Sequence, residues 1–257
     1  MKTSIKSMAI SGLVAIALVF STSCENEKEN SENAQYARIL DVASDGTTSV
    51  IGANAQSAFV ETTALTDSEL ASLLKMKEEE KLARDVYSVL YQKWGIQIFS
   101  RISTAENNHL NAIVLLLKYY NSADTATAGT GVFANTNMQA LYNDLVSKAS
   151  DSINLAYKTG AMIEEMDITD LKKSLDSTSN ENIKLVFDNL LKGSRNHLRA
   201  YNRQLTSLGL VYTPIYLSQS DYTQIVNSEM EKGNQYKMKG KGNGQGKGGN
   251  GNGSCNM

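Results

Sequence analysis

One proline and two cysteines in 257 residues, with aromatics at 7%, limit the fold before any motif is read. A sandwich or barrel needs many punctuated turns and aromatic-rich strands. A chain with so little of either suits long helices, and an all-α class is expected. Neither charge sign is in excess. The formal net charge of -2 gives no basic footprint for nucleic acid, so no nucleic-acid partner is expected. Histidine is as rare as cysteine: His109 and His197 are the whole supply, so their placement carries weight. The length allows one good-sized domain plus tails.

The ends read differently from the middle. Lys2 and Lys6 precede the short apolar run "MAISGLVAIALVF", which is too short to span a bilayer comfortably, and "STSC" follows. This resembles a bacterial lipoprotein signal (residues 1–23) with lipidation at Cys24. The strict pattern would have leucine where Ser21 stands, and an ordinary secretory signal cut nearby is the plainer alternative. A lipidated Cys24 leaves only Cys255, so no intrachain disulfide is expected. The expected location is the bacterial cell envelope, exported and held to the membrane through that lipid. Residues 24–65 read mostly as linker, although "ILDVAS" and "SVIGANA" have the composition of short strands. Residues 231–257 form a Gly/Asn/Lys-rich tail that cannot bury a core and is expected to be disordered.

Residues 66–230 carry the helical pattern. "TDSE" at 66–69 is a capping box that opens a helix running to a stop at Gly95, and a second helix covers about 97–120. A long connection with a short helix leads to a third long helix over about 151–175. "TSNE" at 178–181 reads as another capping box, opening a fourth helix to about Leu208, and "QSDYTQIVNSEM" as a small closing helix. Tight joints within each pair predict two antiparallel hairpins, and the thirty-residue link is long enough to travel the length of a bundle. Two hairpins with one long crossover are the topology of a ferritin-like four-helix bundle.

Stepping three and four residues along each helix gives four inward stripes. They are Leu73, Met76, Glu80, Ala83, Tyr87, Leu90 and Trp94; then Ile102, Glu106, His109, Ile113 and Leu116; then Ile153, Tyr157, Gly160, Glu164, Asp167 and Leu171; and Ile183, Phe187, Leu190, Ser194, His197, Tyr201 and Leu208. Each is apolar except for an acid or histidine near its middle. A lone buried carboxylate costs several kcal/mol, so inward acids and histidines from four helices make sense around cations. Oxygen and imidazole donors at this spacing suit iron or manganese. The bland reading stands beside this one. "KEEEK" is a charge run, with Glu78 and Glu79 read as surface; Glu164 and Glu165 could exchange roles; Asp167 could face water.

Several phrases also resemble a known group. "EKLARDVY" is similar to the Glu-x-x-Ala-x-x-x-Tyr of rubrerythrin-type helices, and "ENNH" to their Glu-x-x-His. "EEMD" and "SRNH" sit where that group has Glu-x-x-Glu and a second Glu-x-x-His. "EEEKLARDVY", "IEEMDITDL" and "GSRNHLRAY" resemble most closely the uncharacterised DUF2202 domain family within the ferritin-like superfamily. The resemblance implies a metal centre, with a di-iron pair suspected and manganese or zinc as alternatives. Glu80 and His109 would hold one ion, Glu164 or Asp167 and His197 the other, with Glu106 bridging. Ser194 departs from the pattern, standing where a second bridging glutamate belongs, and no rubredoxin-like cysteine pairs are present. Tyr87 and Tyr201 would orient the ligands, as Ser194 would from the same helix face; Arg84 and Arg195 would pair with surplus or surface acids. The implied chemistry is oxidation of ferrous iron or reduction of dioxygen or peroxide. A non-catalytic metal binder or a metal-free interaction bundle are the alternatives. Metal ions, the membrane and a second copy of the chain are the partners this reading allows.

Overall fold

The computed structural model describes residues 36–37, 40–42, 48–50, 59–60, 63–123, 129–231 and 236–237. The expected signal segment, Cys24, and all of the tail beyond Glu231 except 236–237 lie outside these residues. In chain order the elements are β1 (Tyr36–Ala37), β2 (Leu40–Val42), β3 (Thr48–Val50), α1 (Asp67–Trp94), α2 (Gln97–Tyr119), α3 (Thr136–Ala149), α4 (Ile153–Ser177), α5 (Glu181–Ser207), α6 (Gln219–Asn227) and β4 (Tyr236–Lys237). The class is all-α. The strands are two or three residues long and form two small antiparallel pairs, β1 with β4 and β2 with β3. Two stretches expected to be linker and tail therefore meet at Tyr36–Ala37 and Tyr236–Lys237.

Helix boundaries follow local chemistry. Thr66 accepts the Glu69 N–H while the Glu69 carboxylate accepts the Thr66 N–H, the reciprocal capping box read from "TDSE". Gly95 ends α1 in the left-handed region at φ 65°, where a side chain would be strained. The second expected box does not form. Asn180 caps α5, its Oδ1 accepting from Asn182 and Ile183, because an asparagine side chain reaches the second and third amides directly. Thr178 instead donates to Glu69 Oε1 at 2.7 Å, tying the start of α5 to the start of α1.

The four long helices pair as two hairpins, α1 with α2 and α4 with α5. The hairpins meet along two further seams, α1 with α4 and α2 with α5. Side-chain pairs fix the directions. Ser72 donates to Ser174 and Tyr87 to Glu164, so α1 and α4 run antiparallel; Tyr120 donates to Asn180 at the far end of α2 and α5. The crossover between the hairpins occupies residues 120–152, and its helix α3 lies against α1 and α4. Phe59 and Val60 also join the packed body. The Phe59 ring lies tilted against that of Tyr119 at a centroid distance of 5.0 Å, and Val60 exchanges hydrogen bonds with Asn182.

The inward stripes are buried along nearly their whole length. Three end positions differ. Trp94 and Ile153 are half-buried, and Leu208 is 49% exposed. Leu205 fills the end of the α5 stripe instead, one turn beyond Tyr201, because the helix stops at Ser207.

Glu165 is also buried, but on the other side of α4 from Glu164. Its Oε2 accepts the backbone N–H groups of Ile215, Tyr216 and Leu217 at 2.9, 2.8 and 3.0 Å, stapling the segment after α5 to α4. Replacing Glu165 by alanine strands three amides at once and should cost roughly 3 kcal/mol in urea unfolding. A loss below about 0.5 kcal/mol would show that the staple is dispensable.

Candidate metal centre

The helix phase aims one polar cluster at the bundle axis. Glu80 comes from α1, Glu106 and His109 from α2, Glu164 and Asp167 from α4, and His197 from α5. Five of the six side chains are wholly removed from solvent, and Asp167 is 2% exposed. The Glu-x-x-His spacing sets Glu106 and His109 a turn apart on one face of α2, with His109 Nδ1 lying 2.8 Å from Glu106 Oε2.

Glu106 sits between the two imidazoles. Its Oε2 faces His109 Nδ1, and its Oε1 lies 2.8 Å from His197 Nδ1. His109 Nδ1 is also 3.1 Å from Glu80 Oε2, and His197 Nδ1 is 3.4 Å from Glu164 Oε2. Each ring nitrogen therefore faces two carboxylates, more than one N–H can serve well. Two groups of three result, Glu80–Glu106–His109 and Glu106–Glu164–His197. In each, one ligand atom per residue lies within 4.8 Å of the others. The rings stack at a centroid separation of 5.6 Å.

Close approach of the helices makes this possible. A β-carbon at Gly193 would fall 2.5 Å from His109 Nε2, and one at Gly160 would fall 2.5 Å from the Tyr201 ring. Both sites therefore exclude a side chain. Tyr87 donates to Glu164 Oε1 at 2.6 Å, and its ring lies 5.6 Å from that of Tyr201. Ser194 donates to the carbonyl of Leu190 at 3.2 Å within its own helix and belongs to neither group of three. Asp167 also lies outside both groups. Its Oδ2, like Glu80 Oε1, is buried with no hydrogen-bond partner among the described residues.

Several positions were not singled out by the sequence. Glu79 is 4% exposed rather than on the surface, held by Lys75 at 2.9 Å in the seam with α4. Glu78 is half-buried. Gly193 carries a signal that could have been used, because a glycine inside a helix costs about 1 kcal/mol relative to alanine and so marks a close approach. Glu231 receives Arg195 and Arg199, which fixes the start of the tail against α5. Arg84 pairs with Asp85 at 2.7 Å, so the two arginines serve acids away from the centre.

Dehydration dominates the electrostatics. Burial pushes Glu80 up to about 8 despite the opposing pull of His109. Burial and then the charge on Glu106 push Glu164 up to about 7. Burial and the charges of Glu80, Glu164, Glu106 and Glu79 hold Asp167 well above the usual carboxyl range. Glu106 goes the other way. Burial opposes its charge, but His197 and His109 prevail and hold it below an ordinary glutamate. Burial likewise opposes charge on His109, yet Glu80 and Glu106 raise it to about 9.

A family model described as an uncharacterized protein domain, DUF2202, matches residues 69–229, a stretch that contains all six polar side chains of the centre. The uncharacterized protein MJ0754 of Methanocaldococcus jannaschii is 46% identical over 170 residues, 66% of this chain and 92% of its own length. The crystal structure of the hypothetical protein MJ0754 from Methanococcus jannaschii DSM 2661 superposes with a TM-score of 0.65 at 45% identity. It covers 67% of this chain and 99% of that one.

The metal-free protein should lose stability with rising pH. A group that holds its proton more tightly folded than unfolded makes the native state bind more protons, and stability then falls as pH rises. For Glu80 the window runs from 4.5 to about 8, and for His109 from 6.5 to about 9. Thermal unfolding of chelator-treated protein should show a falling melting temperature between those limits. A flat or rising profile would contradict the assigned charge states.

Proposed function

Since this chain belongs to the DUF2202 family, an uncharacterized protein domain, its activity has to be argued from its own residues, and we propose that it is a ferritin-like metal protein with a two-ion carboxylate/histidine centre. The observation that carries the reading is Glu106, whose two oxygens each lie 2.8 Å from a different imidazole nitrogen, the position of a bridging ligand between two sites. Glu80 and His109 would complete one site, Glu164 and His197 the other. The up-and-down packing of two hairpins joined by a long crossover supports a ferritin-like bundle.

The donor set fits cations. Three buried carboxylates and two imidazoles make up the two groups, with Asp167 a fourth buried acid beside them, and the carboxylate oxygens Glu80 Oε1 and Asp167 Oδ2 find no donor among the described residues. Two divalent ions with neutral imidazoles would balance the four negative charges. Without ions the same core must hold protons on its acids, as the raised Glu80 and Asp167 show. Oxygen-rich coordination with one imidazole per ion suits iron first, then manganese, with zinc as a redox-silent occupant. A pair of iron ions would supply redox chemistry, either oxidation of ferrous iron or reduction of dioxygen or peroxide. The chain's own residues shape the site around them. Tyr87 orients Glu164 by its hydrogen bond, and Gly193 lets the His109 ring approach α5. Leu73, Met76, Ile113 and Leu190 exclude water along the axis.

Metal analysis of the purified full chain tests this. About two ions per chain are expected, falling to about one in His109→Ala and His197→Ala. Chelation should lower the melting temperature by roughly 5–10 °C, as expected when a ligand held near a hundredfold above its dissociation constant is removed. Bleaching and recovery of an iron absorption band with peroxide would point to turnover, and bound zinc without a redox response to a binder. Two variants with the metal content of the parent would remove the assignment.

The location we propose is the cell envelope, with lipid on Cys24 and the tail and linker outside the membrane. Among the described residues no helix is long and apolar enough to cross a bilayer, and in this reading the lipid carries the attachment. Cys24→Ser should move the chain from the membrane fraction to the soluble fraction. Persistence in the membrane fraction would refute the lipid anchor.

A further inference from the structure

The α1/α4 seam holds an acidic ladder that neither group of three ligands uses. Two pairs set its register: Ser72 donates to Ser174 at 2.9 Å, and Lys75 Nζ lies 2.8 Å from Asp170 Oδ2. One turn further inward on the two antiparallel helices come Glu79 and Asp167, near enough for the Glu79 charge to act on Asp167, and beyond them lie Glu80 and Glu164 of the centre. The mouth is open to solvent, with Lys75 53% and Asp170 29% exposed at their side chains. The rungs inside are closed to it, and each ends in an unanswered oxygen. Glu79 Oε2 and Asp167 Oδ2 are both buried with no hydrogen-bond partner among the described residues. At the mouth the Lys75 ammonium lies between two carboxylates, 2.9 Å from Glu79 and 2.8 Å from Asp170. A cation already occupies that position, but a tethered one.

The opposite seam is built otherwise. Where α2 meets α5, Tyr120, Asn180 and Asn182 form a neutral hydrogen-bonded plug that also holds Val60. An ion travelling there would have to break satisfied bonds between neutral groups. In the α1/α4 seam it would meet an acid at every turn.

We infer that the α1/α4 seam is the entry path for divalent cations, with Glu79 and Asp167 as a transit site between solvent and the centre and Lys75 as a displaceable plug at its mouth. The inference rests on the metal-centre reading and gives Asp167 a delivery role instead of a place among the resident ligands. Local negative charge raises the concentration of a cation at the mouth, and each inner carboxylate replaces part of the hydration shell that the ion sheds. Lys75 swings out on its flexible stem when a doubly charged ion competes for the two carboxylates.

Stopped-flow loading of metal-depleted full-length protein with cobalt(II) tests it, because the ligand-field absorption reports both rate and coordination. Asp167→Asn and Glu79→Gln should slow loading about tenfold, with the final spectrum and stoichiometry of the parent. Asp170→Asn, at the partly exposed mouth, should slow it in the same direction without endangering the fold. Lys75→Ala should speed it severalfold. Unchanged rates in all four variants, with full loading, would overturn the path while leaving the centre intact. An altered endpoint spectrum in Asp167→Asn would also overturn it, by making Asp167 a resident ligand. If the parent takes up no cobalt, the metal-centre reading falls and the path falls with it.

Discussion

Everything in this molecule is arranged around one carboxylate held between two imidazoles in a water-free core. Glu106 is fully buried, and so are its neighbours His109 and His197. An isolated charge in such a place costs several kcal/mol, so the contacts around Glu106 cannot be loosened independently. They dictate helix phase and register. They also dictate which residues may be small: Gly193 makes room for His109, and Gly160 makes room for Tyr201, which packs on Tyr87 beside Glu164. The apolar stripes above and below the polar layer supply the cohesion that this layer does not.

The two hairpins contribute unequally. The first carries Glu80, Glu106 and His109, which form a complete group of three by themselves; the second carries Glu164, Asp167 and His197 and completes its group only by borrowing Glu106. The centre therefore joins the halves of the chain, and the residues 120–152 between them must hold the hairpins in register. α3 does so from outside, lying against α1 and α4, with the Trp94 indole donating to the Ala149 carbonyl at 3.2 Å. Glu165 and Glu231 extend the same principle to the end of the domain. Each is an acid that binds a later segment back onto the second hairpin.

Periodicity and capping chemistry made the helices and their inward faces legible. The register of Glu80, Glu106, His109, Glu164 and His197 followed from counting threes and fours. What failed was local competition. Thr178 was expected to cap α5, but Asn180 reaches the same amides directly. Glu79 was expected in water because charge runs usually are, yet the α4 seam covers it while Lys75 keeps it company. Leu208 was expected inside, but the helix ends one residue earlier and Leu205 takes the place. Glu164 and Glu165 could not be separated by pattern alone, since both are buried and only the three-dimensional partners differ. The staple to residues 215–217 is a long-range contact with no periodic signature.

That one acid is shared by the two groups has an electrostatic consequence. Ser194 turns its hydroxyl back to Leu190, so Glu106 alone spans the two groups. With Glu80, Glu106, Glu164 and Asp167 ionised and the imidazoles neutral, two divalent ions at the proposed centre would balance the four charges. One-electron oxidation of each ion would add two positive charges; of the other buried acids, Glu165 is committed to the 215–217 backbone and Glu79 is paired with Lys75 in the α4 seam. By the same argument the proposed centre would hold divalent ions more favourably than oxidised ones, because its count of buried carboxylates matches the lower charge.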